Sequence, residues 1–236
     1  MKMRPTIPDL IRLDGFKPEP FSLGLLQDLN RAGFTNPLLV GGAIRDDYFR
    51  QIVGLNVPTN DYDIMAGLDV RRILGDAQTT PAATQALRDH VTIALPGSTI
   101  TKANAHMRAD GSFEFGGIDF THQGQRIEIV LNNSKAELPM AQRMWSSEPL
   151  SMIALDKTGI VLADKNFPKQ AQERIYQPYE PNICPEYGDL RFEKLARKIP
   201  GLQNLTVIIP PITLTPTRQK SRWLSRIAHF KRMPDA

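Results

Sequence analysis

Apolar positions along the chain fall into runs whose period switches between that of a helix and that of a strand. Leu23, Leu25, Leu26 and Leu29 recur at helical spacing and predict a helix over 21–32, with Gly33 as its C-cap. The proline-rich residues 1–20 ahead of it read as an extended arm. An apolar run, Pro37 to Val40, predicts a buried strand that stops at Gly41-Gly42, and Ala43 to Ile52 then carries helical spacing through Ile44, Phe49 and Ile52. A short strand follows at Asp61-Tyr62-Asp63-Ile64, where alternation sets Asp61 and Asp63 on one face and turns Tyr62 and Ile64 to the core. Helices are predicted over 70–74 and 82–88, separated by a turn-rich stretch containing Pro81. His90 to Leu95 alternates as a strand would, up to Pro96-Gly97.

Beyond that point the pattern is one of hairpins. Residues 98–107 and 112–115 pair across Arg108-Ala109-Asp110-Gly111, and 118–121 pair with 126–131 through a turn containing Gly124. In the strand RIEIVL, Ile127, Ile129 and Leu131 share one face, and Arg126, Glu128 and Val130 the other. Thr158 to Val161 fits another hairpin turn. From Lys165 the texture changes: a Pro-rich linker reaches Pro185, and a helix over 189–198 carries the stripe Leu190, Phe192, Leu195, Ala196 and Ile199. The fold class read from this pattern is α+β, a mixed twisted β-sheet with flanking helices and a short, mainly helical C-terminal extension. Residues 1–165 form the main domain with its N-terminal arm, and 166–236 the linker and extension.

Composition narrows the picture a little. The chain has 236 residues, 41% hydrophobic and 23% charged, as in globular proteins with a sizeable core. Its net charge of +4 suits nucleotides or nucleic acid without requiring them. One cysteine, Cys184, excludes an internal disulfide framework and a Cys-based zinc site. No signal-peptide pattern and no run of about 18 apolar residues is present, so the expectation is a cytoplasmic protein with no membrane contact. The last stretch holds Arg218, Lys220, Arg222, Arg226, Lys231 and Arg232, with Trp223, Leu224, Ile227 and Phe230 at helical spacing. Such a helix either tracks a phosphate backbone or docks its apolar stripe and solvates its charges. His90, His106, His122 and His229 show no ligand spacing and receive no role.

The chemistry concentrates between Leu38 and Met65. Glycines at a strand-to-helix turn let backbone approach a ligand where a Cβ would obstruct it. The unpaired amides of the helix's first turn favour an anion there. Asp61 and Asp63, about 7 Å apart along a strand, suit divalent cations on a triphosphate. Glu128 lies on a strand that can neighbour them at about 4.8 Å. Asp119, on the partner strand of its hairpin, is the alternative third carboxylate.

The order strand, Gly-Gly, helix bearing Arg45-Asp46, then an Asp-x-Asp strand resembles the head-domain signature of class II tRNA nucleotidyltransferases (CCA-adding enzymes) and bacterial poly(A) polymerases, members of the polymerase-β-like nucleotidyltransferase superfamily. GGIDFTHQGQRIEIV resembles their glutamate-bearing hairpin, which makes Glu128 the third active-site carboxylate. The likeness covers about residues 20–165 well and 166–200 faintly. The stretch between Asp63 and Glu128 is longer than in the family, and the family's base-selecting Glu-Asp-x-x-Arg segment and helical body are not matched. The resemblance implies a nucleotidyltransferase fold and metal-dependent transfer of a nucleoside monophosphate from an NTP to an acceptor hydroxyl. Asp61, Asp63 and Glu128 would hold two Mg²⁺ (or Mn²⁺) ions, and Gly41 and Gly42 would meet the phosphates. Arg45 would contact phosphate or tie Asp46 into the fold. The acceptor implied is an RNA or tRNA 3′ end, gripped in part by the basic residues 218–232. A protein or small-molecule hydroxyl, or a non-catalytic nucleotide-binding relic, stands as the alternative.

Overall fold

The computed structural model describes residues 9–143, 148–178 and 185–205. The basic stretch 217–233 lies outside them. The chain enters through β1 (Leu10–Arg12) and α1 (Pro20–Arg31). Proline at the first position of α1 costs no hydrogen bond, and Leu25, Leu26 and Leu29 bury its inner face. Burying each such side chain contributes about 1.5–3 kcal/mol. Next comes β2 (Phe34–Val40), a turn at Gly41, and α2 (Gly42–Tyr48), which widens into a π-helical turn over Phe49–Val53. A loop leads to β3 (Tyr62–Leu68).

Two helices follow, α3 (Val70–Leu74) and α4 (Thr80–Ala94). Helix α4 corrects the expected strand at 90–95. Ala83, Leu87 and Val91 continue a four-residue period and are fully buried, whereas Ile93, which alternation would have turned inward, is 78% exposed. Pro81 starts this helix instead of interrupting it, since the missing N–H falls in the first turn. Strand β4 (Thr99–Met107) then pairs with β5 (Phe113–His122), which turns through Gly124 into β6 (Gln125–Leu131). The two short strands expected over 112–115 and 118–121 are thus one strand running through Gly116-Gly117.

Short helices α5 (Asn133–Ala136) and α6 (Met140–Arg143) precede the hairpin of β7 (Ile153–Asp156) and β8 (Val161–Asp164). The described chain closes with α7 (Phe167–Glu173), β9 (Ile175–Tyr176), α8 (Pro185–Ala196) and β10 (Gln203–Asn204), with β9 and β10 pairing in parallel. Leu195 and Ile199 pack into the main core, but Leu190, expected on the same stripe, is 65% exposed. Among the described residues no helix is long and apolar enough to cross a membrane.

The eight-stranded sheet has the order β1-β8-β7-β2-β3-β6-β5-β4. Only β3 and β6 run parallel among its neighbours, so the sheet is mixed and the fold α+β. Tyr62, Ile64, Ile118, Phe120, Ile127 and Ile129 fill one face, against α1 and α4 residues in a single apolar core. Two N–H groups of edge strand β4 are covered: Ala105 donates to Thr84 Oγ1 at 3.0 Å and Met107 to Thr80 Oγ1 at 3.1 Å. That blunts an edge otherwise free to pair with another chain. The opposite face carries a small apolar cluster around Leu38, Met152 and Ala154 at its β2–β7 end. At Gly67 a Cβ would stand 2.9 Å from that of Ala136, so only glycine lets α5 lie against β3 there.

Candidate active site

Gly41 sits at φ 68°, ψ −115°, outside the region open to other residues, and bends the chain from β2 into α2. Its own N–H donates to the Ile153 carbonyl at 2.9 Å. Gly41 is therefore a hinge whose amide is already used, and the amides facing outward at this turn begin with Gly42. A Cβ on Gly42 would meet Asp61 Oδ1 and Arg45 Nη2, each 3.9 Å away. The glycine turn and the first aspartate are thereby brought together.

The loop delivering Asp61 is held by Arg50, whose guanidinium donates to the Val57 carbonyl at 2.7 Å, Thr59 Oγ1 at 2.9 Å and Glu19 Oε1 at 2.5 Å. Buried Val57 anchors the same loop. Nothing in the sequence pattern singles Arg50 out, because its partners come together only in the fold. The alternation read for β3 holds: Tyr62 and Ile64 are buried and Asp63 is half-buried on the other face.

Register decides what Asp63 meets. Its Cα partner in β2 is Val40 and in β6 is Glu128; Glu128 pairs in turn with Asp119 of β5, which pairs with Lys102 of β4. Residues 63, 128 and 119 thus form one row across three strands, with neighbours about 4.8 Å apart along the hydrogen-bonding direction. Both carboxylates proposed from the sequence as third member lie in that row, Glu128 next to Asp63 and Asp119 one strand farther. Among the described residues the carboxylates of Asp61, Asp63, Asp119 and Glu128 make no hydrogen bond or ion pair. Burial, and then the charge of Asp61, raises the pKa of Asp63; Lys194, Arg191 and Arg126 oppose the rise. Glu128 is likewise raised by burial first, then by Asp119 and Asp63. Oxygen donors left unpaired and mutually repelling suit a hard divalent cation. They are spread along the strands, however, and among the described residues no three His, Cys, Asp or Glu side chains are gathered into a ready metal site.

Arg45 is committed to architecture. Its Nε and Nη2 donate to Asp46 Oδ1 at 2.9 and 2.7 Å, and Lys198 Nζ donates to Asp46 Oδ2 at 2.9 Å. This buried triad locks α2 to the segment after α8. Helix α8 also brings Arg191 and Lys194 into the field of Asp63. Apolar spacing alone marks that helix as a packing element and gives neither cation a role; the signal for them is their charge, three residues apart on one helix. Arg143 donates to the Asn36 and Met65 carbonyls at 2.7 Å each, tying β2 and β3 together below the site.

No protein-family model matches the chain. No curated protein matches it either. Solved structures similar to it include a CCA-adding enzyme in apo form I, at 13% identity and TM-score 0.48 over 95% of this chain and 48% of that one. A CCA-adding enzyme with ATP is similar at 14% identity and TM-score 0.48, over 76% of this chain and 38% of that one. The Thermotoga maritima CCA-adding enzyme complexed with tRNA is similar at 12% identity and TM-score 0.47, over 80% and 40%. This chain spans less than half the length of each of the three structures it resembles.

Proposed function

We propose that the chain is a nucleotidyltransferase that moves a nucleoside monophosphate from an NTP to an acceptor hydroxyl. One observation carries the reading: strand register sets Asp63 beside Glu128 on one face of the sheet, while the loop pinned by Arg50 brings Asp61 to the Gly42 turn. The reaction is the attack of the acceptor oxygen on the α-phosphorus. A new oxygen–phosphorus ester forms, the bond to the bridging oxygen breaks, pyrophosphate leaves, and the hydroxyl proton passes to solvent. Asp61, Asp63 and Glu128 are the residues that would hold Mg²⁺ or Mn²⁺, in one or two ions. When bound, the metal acidifies the attacking hydroxyl and stabilises the departing pyrophosphate.

The chain's own groups set the geometry. Gly42 leaves room for a phosphate at the turn, and the first amides of α2 point at it. Arg45, held by Asp46, keeps that turn in shape and adds positive charge beside it. Lys194, Arg191 and Arg126 offset the carboxylates and favour an anionic substrate over bare repulsion. The acceptor in this reading is an RNA 3′ end, and the basic residues Arg218, Lys220, Arg222, Arg226, Lys231 and Arg232 grip its backbone.

Incubation of the purified protein with each labelled NTP, Mg²⁺ and total RNA, or with no added acceptor, tests this. Label in RNA with release of pyrophosphate is the expected result. Label in protein moves the acceptor to a protein hydroxyl, and no label with any NTP or acceptor refutes transfer.

A further inference from the structure

The row of residues next to the carboxylates is of a different chemical kind. Two residues along each strand from Asp63, Glu128, Asp119 and Lys102 stand Met65, Val130, Gly117 and Asn104, again paired directly from strand to strand. Val130 is 39% exposed, and neither it nor Met65 nor Phe115 joins either apolar cluster of the fold. One step farther, Phe115 of β5 faces His106 of β4 with rings stacked at 4.4 Å and 26°. Among the described residues the His106 Nε2, shielded from solvent, has no hydrogen-bond partner. A Cβ on Gly117 would stand 3.2 Å from the Ile129 carbonyl and 3.3 Å from Asn104 Oδ1, so the Asn104 carboxamide lies across this glycine, and it makes no hydrogen bond among the described residues. Lys102 is exposed in the carboxylate row, two residues from Asn104, and Arg126 is exposed on the other side of that row from Val130.

An apolar surface with a ring pair, an uncommitted amide and a lysine beside it has the components of a base-stacking platform. Bases stack on aromatic rings regardless of sequence, amides read base edges, and basic side chains follow the phosphates. Spacing agrees. Two residues along a strand span about 7 Å, which sets this face directly beside the carboxylates. Sheet order supplies the polarity. The Gly42 turn lies at the end of β2, on one side of the carboxylates, and the platform lies on β6, β5 and β4, on the other. A two-substrate transfer needs that division, with triphosphate on one flank of the carboxylates and acceptor on the other.

We propose that this face, centred on Phe115, Asn104 and Val130, holds the terminal bases of a single-stranded nucleic-acid acceptor, the last base over Val130 and the Asn104 carboxamide and the preceding one against the Phe115–His106 pair. The proposal rests on the nucleotidyl-transfer reading of the neighbouring carboxylates. It assigns to the β4–β5 hairpin, part of the stretch between Asp63 and Glu128 that is longer than in the resembled family, the task of seating the acceptor.

The test measures binding apart from catalysis. Fluorescence anisotropy of a labelled 12-nucleotide single-stranded RNA is followed with Mg²⁺ and no NTP, for the full chain and for Phe115→Ala, Phe115→Trp and Asn104→Ala. Loss of one stacking partner weakens binding at least about fivefold in Phe115→Ala, and Phe115→Trp restores it to within about twofold. Asn104→Ala changes the ranking among oligo-A, oligo-C and oligo-U. Mg²⁺-NTP affinity stays at the wild-type value in all three, and thermal melts confirm folding. Equal RNA affinity in Phe115→Ala and wild type, or failure of the tryptophan to restore what the alanine loses, overturns the proposal. So does an absence of RNA binding by the wild-type chain. Phe115-dependent RNA binding without transfer to any acceptor would leave the platform standing and remove the transfer reading. Transfer to a protein or small molecule, with RNA binding indifferent to Phe115, would do the reverse.

Discussion

Replacing Asp46 by alanine tests the joint that holds the glycine turn in place. The Asp46 side chain is 1% exposed, with Arg45 and Lys198, at 7% and 12%, on its two oxygens. Removing the carboxylate leaves two buried cations without a counter-charge, a change that costs about 3–5 kcal/mol. Lys198→Met takes away one charged hydrogen bond but leaves Asp46 satisfied by Arg45, so its cost is smaller, about 1.5 kcal/mol. For a domain of this size each kcal/mol moves the melting point about 2–4 °C. Asp46→Ala should then melt roughly 6–20 °C below wild type, and Lys198→Met roughly 3–6 °C below. The double variant should lose less than the sum, since Lys198 has no partner left to lose once Asp46 is gone. Calorimetry and urea midpoints on the three variants measure this directly. An Asp46→Ala protein melting within about 3 °C of wild type, or costs that add, would falsify the coupling of α2 to the segment after α8.

Four further outcomes follow from the site. Asp61→Ala and Asp63→Ala should each abolish nucleotide transfer with the fold retained; transfer at the wild-type rate in either, measured as pyrophosphate release, removes them from the reaction. Glu128→Gln should inactivate while Asp119→Asn, one strand farther from Asp63, should be mild, and the opposite pattern would make Asp119 the third carboxylate. The pKa values of Asp63 and Glu128 are raised in the folded state, so the metal-free native protein binds more protons than the unfolded chain, and its stability falls as pH climbs from their ordinary values, 3.8 and 4.5, through the raised ones. Asp63→Asn should therefore melt above wild type at neutral pH, with the difference shrinking towards about pH 4; a difference independent of pH contradicts the assignment. Deleting 217–236 should weaken RNA binding and lower its salt slope by about 0.7 for each phosphate the tail no longer neutralises, while Mg²⁺-NTP affinity holds; an unchanged slope returns that stretch to packing.

Local physics makes a good part of this molecule legible in its sequence. Alternation at Asp61–Ile64 and Arg126–Leu131 told which side chains face the core and which face outward, because a strand's period of two leaves no third choice. A bend at Gly41-Gly42 was readable because a left-handed φ in mid-chain is a glycine's conformation. Short windows misled where two periods fit equally well. His90–Leu95 alternates over six residues, and only the continuing burial of Ala83, Leu87 and Val91 shows the helix. Other decisions belong to the tertiary structure, because they depend on which distant strands pair and in what register. Pairing put Glu128 rather than Asp119 beside Asp63. Folding also brought Arg50 to the loop ahead of Asp61, set Arg191 and Lys194 in the field of Asp63, and lined up Asn104, Gly117 and Phe115 beside the carboxylates. A sequence states what each residue can do and which way it faces along its own element; which neighbours it acquires from elsewhere in the chain is fixed only when the sheet closes in one register.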